Sequence, residues 1–472
     1  MEATRPSVAE LPARLPPAAL RIAESIIAAG GRAIVVGGAV RDFLQGFSPK
    51  DIDIEAYGLD VERLGAALEP VARVHAVGKS FGVLKARVGA VEIDVSLPRR
   101  EKKAGTGHRG FLVDHDPAMG FAEAASRRDF TINAIGVDLA NGELLDPWGG
   151  VGDLEAGVIR HISDAFDEDP LRVLRACQFS ARFGFPIAAE TLRKCQSLQG
   201  ELATLSKERI WEEFKKLLLK SPAPALGLVA LEATGALALF PELSALRGAR
   251  HNPAFHPEGD VWTHNNLALD ACARICRDER LDEKDALPLM LAALCHDLGK
   301  PATAKLMDGV WRNPGHEQAG EAPTRSLLGR MGCPPALAER IVPLVLEHDR
   351  PYRLWLQNRA QPVADGVIRR LALRLPILAL CRLALADFRG RSAEDAKGPC
   401  VAADWLLARA SSLGVLEHAP KPHLQGRDIQ ALGVKPGPGM GRLLKDAFEA
   451  QLDGKFADLP GAIAWARTRL EP

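Results

Sequence analysis

The chain has 472 residues, 47% hydrophobic and 25% charged, which excludes a disordered or low-complexity protein and is more chain than one hydrophobic core ordinarily supports. Lys plus Arg and Asp plus Glu each number 60, so a polyanionic partner has to be held by local basic patches and not by net charge. The opening MEATRPSVAELPARLPP has no signal-peptide core, no stretch is apolar enough to span a bilayer, and the eight cysteines include no CxxC pair; the expectation is a cytoplasmic protein with no membrane partner and with buried free thiols.

In chain order, residues 16–30 carry a helical pattern with Leu20, Ala23, Ile26 and Ile27 predicted inward. A β-type run at 32–36 follows and ends in Gly37-Gly38. Short β-rich runs at 51–56, 82–88 and 91–97 predict an α+β unit over residues 1–150. From Asp164 the pattern changes to amphipathic helices, for example 170–183 and 207–220, so 151–246 reads as a helical neck. The His, Pro and Gly-rich RGARHNPAFHPEGD (247–260) marks a boundary and opens an all-helical region over 247–395. GVKPGPGMG (433–441) introduces the last short helices of a tail over 396–472.

The stretch IVVGGAVRDFLQGFSPKDIDIEAYG (34–58) carries the first chemistry. Asp51 and Asp53 lie on a segment of β character, where residues i and i+2 point to one face, so their carboxylates are predicted side by side. Paired carboxylates repel, and Mg²⁺ relieves the repulsion while accepting oxygen ligands beside substrate phosphates. Gly37 and Gly38 permit a turn close to a ligand, and Arg41 offers a fork for phosphate oxygens. Together they describe a nucleoside triphosphate site.

GGAVRD (37–42) and DID (51–53), followed in order by RRDFTINA (127–134), DPWGGVGDL (146–154), EDPLRVLR (168–175) and KERIWEEFKKLL (207–218), resemble the motifs of class II tRNA nucleotidyltransferases. That family sits in the polymerase β superfamily and also contains bacterial poly(A) polymerases. The resemblance implies a polymerase β-like α+β head over 1–150. It implies that Asp51 and Asp53 are catalytic and hold the Mg²⁺ ions that activate the primer 3′-hydroxyl and support the departing pyrophosphate. It also implies a nucleotide-binding set of Gly38, Arg41, Arg128, Asp129, Asn133, Asp169, Arg172 and Arg175. Arg128 and Asp129 are expected at the sugar and phosphates, with Asp129 accepting from a 2′-hydroxyl. Asp169 and Arg172, three apart on an expected first helical turn, share a face. A carboxylate and a guanidinium so placed match the exocyclic amine and ring nitrogen that cytosine and adenine present, and mismatch uracil and guanine. Glu208, Arg209 and Glu212 resemble a neck-helix motif that supports this reader. Asp94 and Glu92 share a strand face, and either can supply a third carboxylate or form a plain salt bridge. The basic run Arg99, Arg100, Lys102, Lys103 and Arg109, with Gly105 and Gly107, resembles a loop that helps switch nucleotide.

Further on, His264, His296, Asp297, His316, His348 and Asp387 form an ordered imidazole and carboxylate set, a donor chemistry suited to a divalent transition metal or Mg²⁺ with positions open to water. The adjacent His-Asp in LAALCHDLGK resembles the HD phosphohydrolase superfamily. The implied metal ligands are His264, His296, Asp297 and Asp387, with His316 and His348 available for a second metal. The all-α HD domain is expected over 247–395.

Head, neck and HD in this order resemble tRNA nucleotidyltransferases that also act as phosphatase and 2′,3′-cyclic phosphodiesterase. The expected function is therefore template-independent addition of CCA to the tRNA 3′ end from CTP and ATP, with that second activity. An A-adding enzyme or a poly(A) polymerase uses the same motifs. The untruncated basic run speaks against a CC-only enzyme. A nucleotide-signalling synthetase and hydrolase would place HD first, and the completeness of both sets speaks against a decayed RNA-binding protein.

Overall fold

The chain folds as two units, residues 1–209 with 229–239, and residues 210–228 with 240–472; the computed structural model describes residues 7–49, 51–76, 83–103, 111–392 and 394–470. In the first unit the helix Pro17–Ala28 buries Ala18, Ala19, Ile22, Ala23 and Ile26. Leu20 and Ile27, predicted inward, flank this stripe and are only partly buried. The helix leads into a mixed seven-stranded sheet of order β3-β4-β5-β2-β1-β8-β9. Its strands are β1 (Arg32–Val36), β2 (Asp53–Tyr57), β3 (Arg73–Ala76), β4 (Val83–Val88), β5 (Val91–Ser96), β8 (Gly136–Asp138) and β9 (Leu144–Leu145), and a separate hairpin pairs β6 (Arg99–Lys103) with β7 (Phe111–His115).

Strands β1 and β2 are antiparallel neighbours, each buried after its first residue, as expected of apolar strands covered on both faces. Beneath their ends Ile34, Val36, Tyr57, Met119, Phe121 and Ala134 share one core. Gly136 is needed there, because a Cβ at that position would stand 2.7 Å from the Phe121 ring.

Strand β2 begins at Asp53 and not at the predicted residue 51. Asp53 pairs with Val36, the last residue of β1, and the chain then turns at Gly37, whose φ is 71°, so the ladder offers Asp51 no partner. Asp51 lies in the bend before the strand. The helix predicted over 170–183 begins one residue later, at Leu171, with Pro170 as its N-cap; Asp169 therefore precedes the helix in extended conformation. Lys207–Lys220 is helical throughout as predicted.

Among its described residues the second unit is helical apart from one hairpin, β10 (Lys305–Met307) with β11 (Val310–Arg312). Its turn residues Asp308 and Gly309 both have positive φ, 49° and 74°, the conformation that Asp-Gly favours in tight hairpins. The helix Val261–Asp278 starts on an Asp260 cap, whose carboxylate accepts from the Thr263 amide at 3.0 Å and from the Gly248 amide at 2.6 Å. The helix Ile377–Gly390 packs along it, so closely that a Cβ on Gly390 would lie 2.7 Å from the Ala268 backbone. The helix Glu283–Cys295 is buried on every side from Ala286 onward. The last helices close a small core of Leu424, Ile429, Met440, Ala447, Ala462 and Ala466. All eight cysteines are buried and unpaired.

Candidate functional site

In the first unit the strand ends assemble the acidic set. Asp94 on β5 stands opposite Asp53 in the parallel β2–β5 pair. Asp53 is open to solvent on one side, yet loss of hydration on its protein side raises its pKa to about 6, against the pull of Arg128 and with the help of Asp94, Asp51 and Glu55. A carboxylate so crowded by others is relieved by a divalent cation, so the oxygen-only set Asp51, Asp53 and Asp94 fits Mg²⁺. Glu92 does not join it. Its carboxylate pairs with Lys85 at 2.5 Å, while Asp94 lies 3.8 Å from the same ammonium.

Around this set the basic residues are held in a continuous network. Arg128 donates to Glu55 at 2.7 Å, and Glu55 also accepts from Tyr57 at 2.6 Å. Arg41, buried beneath the Gly37 turn, donates to Asp42 and to Asn133 and stacks over the Phe183 ring at 4.8 Å. Asn133 donates to Asp129 at 2.9 Å, and Arg175 donates to the other Asp129 oxygen at 2.7 Å. With the Phe130 amide at 2.8 Å as well, both oxygens of Asp129 are occupied, and a ribose hydroxyl would have to displace one of these donors. Gly37 is fixed by its positive φ and by Arg128, whose terminal nitrogen would lie 2.9 Å from a Cβ there. Gly38 opens the helix Gly38–Leu44 that carries Arg41.

Asp169 and Arg172 do not share a helical face, because the helix starts after Asp169. Asp169 is held instead by Arg209 at 2.6 Å and caps the Leu171 amide at 3.1 Å. Arg172 donates to the backbone carbonyls of Ala165 and Arg127. Of the neck residues, Arg209 thus reaches the predicted reader directly, which the KERIWEE pattern indicated without a partner. Glu55 was the unassigned member of the first site, although it follows Asp53 on the same strand face. Of the basic run, Arg109, Gly105 and Gly107 lie outside the described residues; residues 99–103 form β6.

The second unit gathers the whole predicted His/Asp set. His264 Nε2 lies 2.9 Å from Asp387 and 3.8 Å from Asp297, and His296 Nε2 lies 3.4 Å from Asp297 and 3.9 Å from Asp387. On the other side of Asp297, His316 Nε2 is 3.7 Å from its second oxygen and 3.2 Å from His348 Nε2. Asp297 therefore faces two groups, His264 with His296 and His316 with His348, and within each group the donor atoms come within 4.8 Å of one another.

The rings are pre-set as ligands. His296, His316 and His348 bring Nδ1 to the carbonyls of Ala293, Asn313 and Val345, each three residues back, at 2.8, 3.0 and 2.6 Å. A carbonyl only accepts, so the proton sits on Nδ1 and Nε2 presents its lone pair to the centre. Burial lowers the His296 pKa to about 4 and the His316 pKa to about 3, which keeps both neutral. Although burial opposes it, the carboxylates of Asp387 and Glu258 push His264 up to about 9. His296 Nε2 and Asp297 Oδ1 are buried without a hydrogen-bond partner, while Asp297 Oδ2 faces the Lys300 ammonium at 2.7 Å; unpartnered buried donors and acceptors are costly, and a divalent ion resolves them. The donors present fit such an ion. Gly299 lets the HDLGK turn pass the His316 segment, since a Cβ there would collide with the His316 carbonyl.

The residues missed in this centre are Lys300, whose ammonium lies 2.7 Å from Asp297, and the trio His251, His256 and Glu258, whose donor atoms also converge. The signal of the trio lies in RGARHNPAFHPEGD, which from sequence alone reads only as a boundary, and that of Lys300 in LAALCHDLGK.

Residues 33–160 match the family described as Poly A polymerase head domain, residues 184–246 the one described as Probable RNA and SrmB-binding site of polymerase A, and residues 261–387 the HD domain. A Multifunctional CCA protein of Xanthomonas campestris pv. campestris (strain B100) is 39% identical over 428 residues, covering 88% of this chain and 96% of the relative. A Multifunctional CCA protein of Xylella fastidiosa (strain M23) is 40% identical over 380 residues, covering 78% and 86%. Among solved structures, a CCA-adding enzyme with ATP superposes with a TM-score of 0.62 at 20% identity, covering 98% of this chain and 96% of that one. The Thermotoga maritima CCA-adding enzyme complexed with tRNA gives 0.60 at 19%, covering 98% of each. At these identities the solved structures establish the shared fold.

Proposed function

The chain belongs to the family of multifunctional CCA proteins, and from that premise we propose that it adds C and A nucleotides from CTP and ATP to the 3′ end of tRNA without a nucleic-acid template and carries a metal-dependent phosphohydrolase centre in its second unit. The observation that carries the reading is the coexistence in one chain of an oxygen-only carboxylate set and a buried His/Asp set whose Nε2 atoms converge. The names borne by its relatives favour CCA addition over an A-adding enzyme or a poly(A) polymerase.

In the first unit Asp51 and Asp53, with Asp94, hold a divalent ion, and Mg²⁺ bound there supplies the charge that activates the primer hydroxyl and stabilises the departing pyrophosphate. The Gly37-Gly38 turn keeps side chains away from the phosphates. Arg128 stands beside Asp53, and Glu55 fixes its direction. Asn133 and Arg175 hold Asp129, which positions Arg175 next to the incoming sugar. Asp169, steadied by Arg209, accepts the exocyclic amine of cytosine or adenine, and Arg172 donates to the adjacent ring nitrogen by exchanging one of its carbonyl bonds for the base. A base of the wrong pattern leaves these groups unpaired, at about 1–3 kcal/mol each.

In the second unit His264, His296, Asp297 and Asp387 would hold one ion, and His316 and His348 are placed to serve a second; imidazole donors admit a transition metal as well as Mg²⁺. Metal bound there would supply the Lewis acidity for phosphoester hydrolysis, and the chain's own part is to keep the imidazole and carboxylate donors aimed at it, with the proton on His264 Nε2 yielding to the ion. No helix among the described residues is long and apolar enough to cross a membrane, and tRNA and nucleotide substrates fit work in the cytoplasm.

The test is a pair of variants. Asp51→Ala with Asp53→Ala should abolish incorporation of both CTP and ATP while tRNA binding persists. His296→Ala with Asp297→Ala should remove hydrolysis of a 2′,3′-cyclic phosphate end and spare addition. Nucleotide addition by the first variant overturns the reading of the head; phosphoesterase activity in the second overturns that of the HD centre.

A further inference from the structure

We propose that Glu258 is a positioning residue of the His/Asp centre, fixing the ring orientation and tautomer of His264 and thereby setting the affinity of the centre for its ion; the inference rests on the metal reading given above. The ground is a difference among the four histidines. His296 and His348 are the C-caps of their helices, where the last carbonyls lack helical partners, and these carbonyls take the Nδ1 protons. His316 finds a loop carbonyl in the same way. His264 lies in the first turns of Val261–Asp278, where the preceding carbonyls are already committed to the helix; the Asp260 carbonyl, for one, accepts from the His264 amide itself. Its Nδ1 can be held only by a side chain from elsewhere.

Glu258 fills that place. Its carboxylate is almost wholly buried, and one oxygen accepts from His264 Nδ1 at 2.7 Å. The same oxygen accepts from His256 Nδ1 at 3.0 Å, and the other from the Ser392 amide at 3.2 Å. Ser392 follows the helix Ile377–Gly390 that carries Asp387. One carboxylate therefore ties His264 to the segment just beyond Asp387, the two ligands that must meet at 2.9 Å. Without it, Asp387 is the nearest acceptor for the imidazole proton. With Glu258 in place both ring nitrogens donate, Nδ1 to Glu258 and Nε2 to Asp387, and an ion displaces the Nε2 proton; without Glu258 the one proton of the neutral ring is held on Nε2, the atom a metal needs. Carboxylates in this relation to a ligating histidine typically change metal affinity by about 10- to 100-fold.

The experiment uses the full-length protein and reads Mn²⁺ affinity by competition with a chromophoric chelator, and the visible spectrum of the Co²⁺ form. Glu258→Ala should weaken Mn²⁺ binding by about 10- to 100-fold and alter the Co²⁺ bands, with nucleotide addition unchanged. Glu258→Gln, which keeps an acceptor for His264 but not the charge, should fall between the variant and wild type, and it carries the test if Glu258→Ala does not fold. Folded Glu258 variants with wild-type affinity and an unchanged Co²⁺ spectrum overturn this inference alone. A wild-type second unit that binds no divalent ion overturns the metal reading and this inference with it.

Discussion

Asp53 shows how one side chain can be tuned against stability. Crowded by Asp94, Asp51 and Glu55 and partly stripped of water, its carboxyl titrates at about 6. Because the folded-state pKa is raised, the favourable contribution belongs to the protonated form and is lost as pH rises through about 6. Asp53→Asn should therefore raise the melting temperature of the metal-free protein at pH 7, and Mg²⁺ should raise that of the wild type more than that of the variant. For the same reason, the Mg²⁺ concentration needed for half-maximal addition should increase as pH falls below about 6, where protons compete with the ion; a requirement flat between pH 5.5 and 7.5 contradicts this. Arg209 is the second case. Its pair with Asp169 is about one-quarter exposed on each side, so Arg209→Ala should cost about 0–1 kcal/mol of stability. Discrimination of CTP and ATP against UTP and GTP should fall markedly, and unchanged discrimination would remove Asp169 from the reader. At this scale the sequence was informative where partners are local. Asp51, Asp53 and the His-Asp pair advertise themselves by spacing. Glu55 and Glu258 do not, because what gives them meaning is Arg128, 73 residues away, and Ser392, 134 residues away.

Elements turn these residues into sites by how closely they pack. Asp387 reaches His264 because Gly390 lets its helix meet Ala268 backbone to backbone. Gly390→Val should force the helices apart at about 1–3 kcal/mol, as overpacking usually does. A lowered melting temperature should accompany weaker Mn²⁺ binding and lost phosphoesterase activity, with addition retained; a variant that binds Mn²⁺ normally shows that the close crossing does not place Asp387. The helix Lys207–Lys220 was legible to the residue, since its apolar period runs unbroken between Ser206 and Ser221. Strand β6 was not, because its RREKK has no alternation of apolar and polar residues to mark it. The start of β2 was misplaced for a related reason. Local β character continues back through Asp51, and only the length of the partner strand β1 ends the ladder at Asp53.

On the scale of the whole molecule, two donor chemistries reside in two units of one chain. The order of head, neck and HD motifs was legible, whereas the division of the chain was not. The helix Lys207–Lys220 contributes its first three residues to one unit and the rest to the other, and residues 229–239 return to the first, a non-local grouping that no composition shift announces. Separate sites predict separable metal demands. After chelation, Mg²⁺ alone should restore nucleotide addition, while phosphoester hydrolysis should respond to Mn²⁺ or Ni²⁺; a single metal profile for both activities argues against two independent centres. The central claim, that this protein itself writes C-C-A without a template, is tested most directly by sequencing the products formed on a tRNA that lacks its CCA end. Incubated with all four nucleoside triphosphates and Mg²⁺, the wild type should yield ends reading CCA that then stop growing. Ends carrying a lone A, a lengthening tract of A, or no added nucleotide would contradict the account.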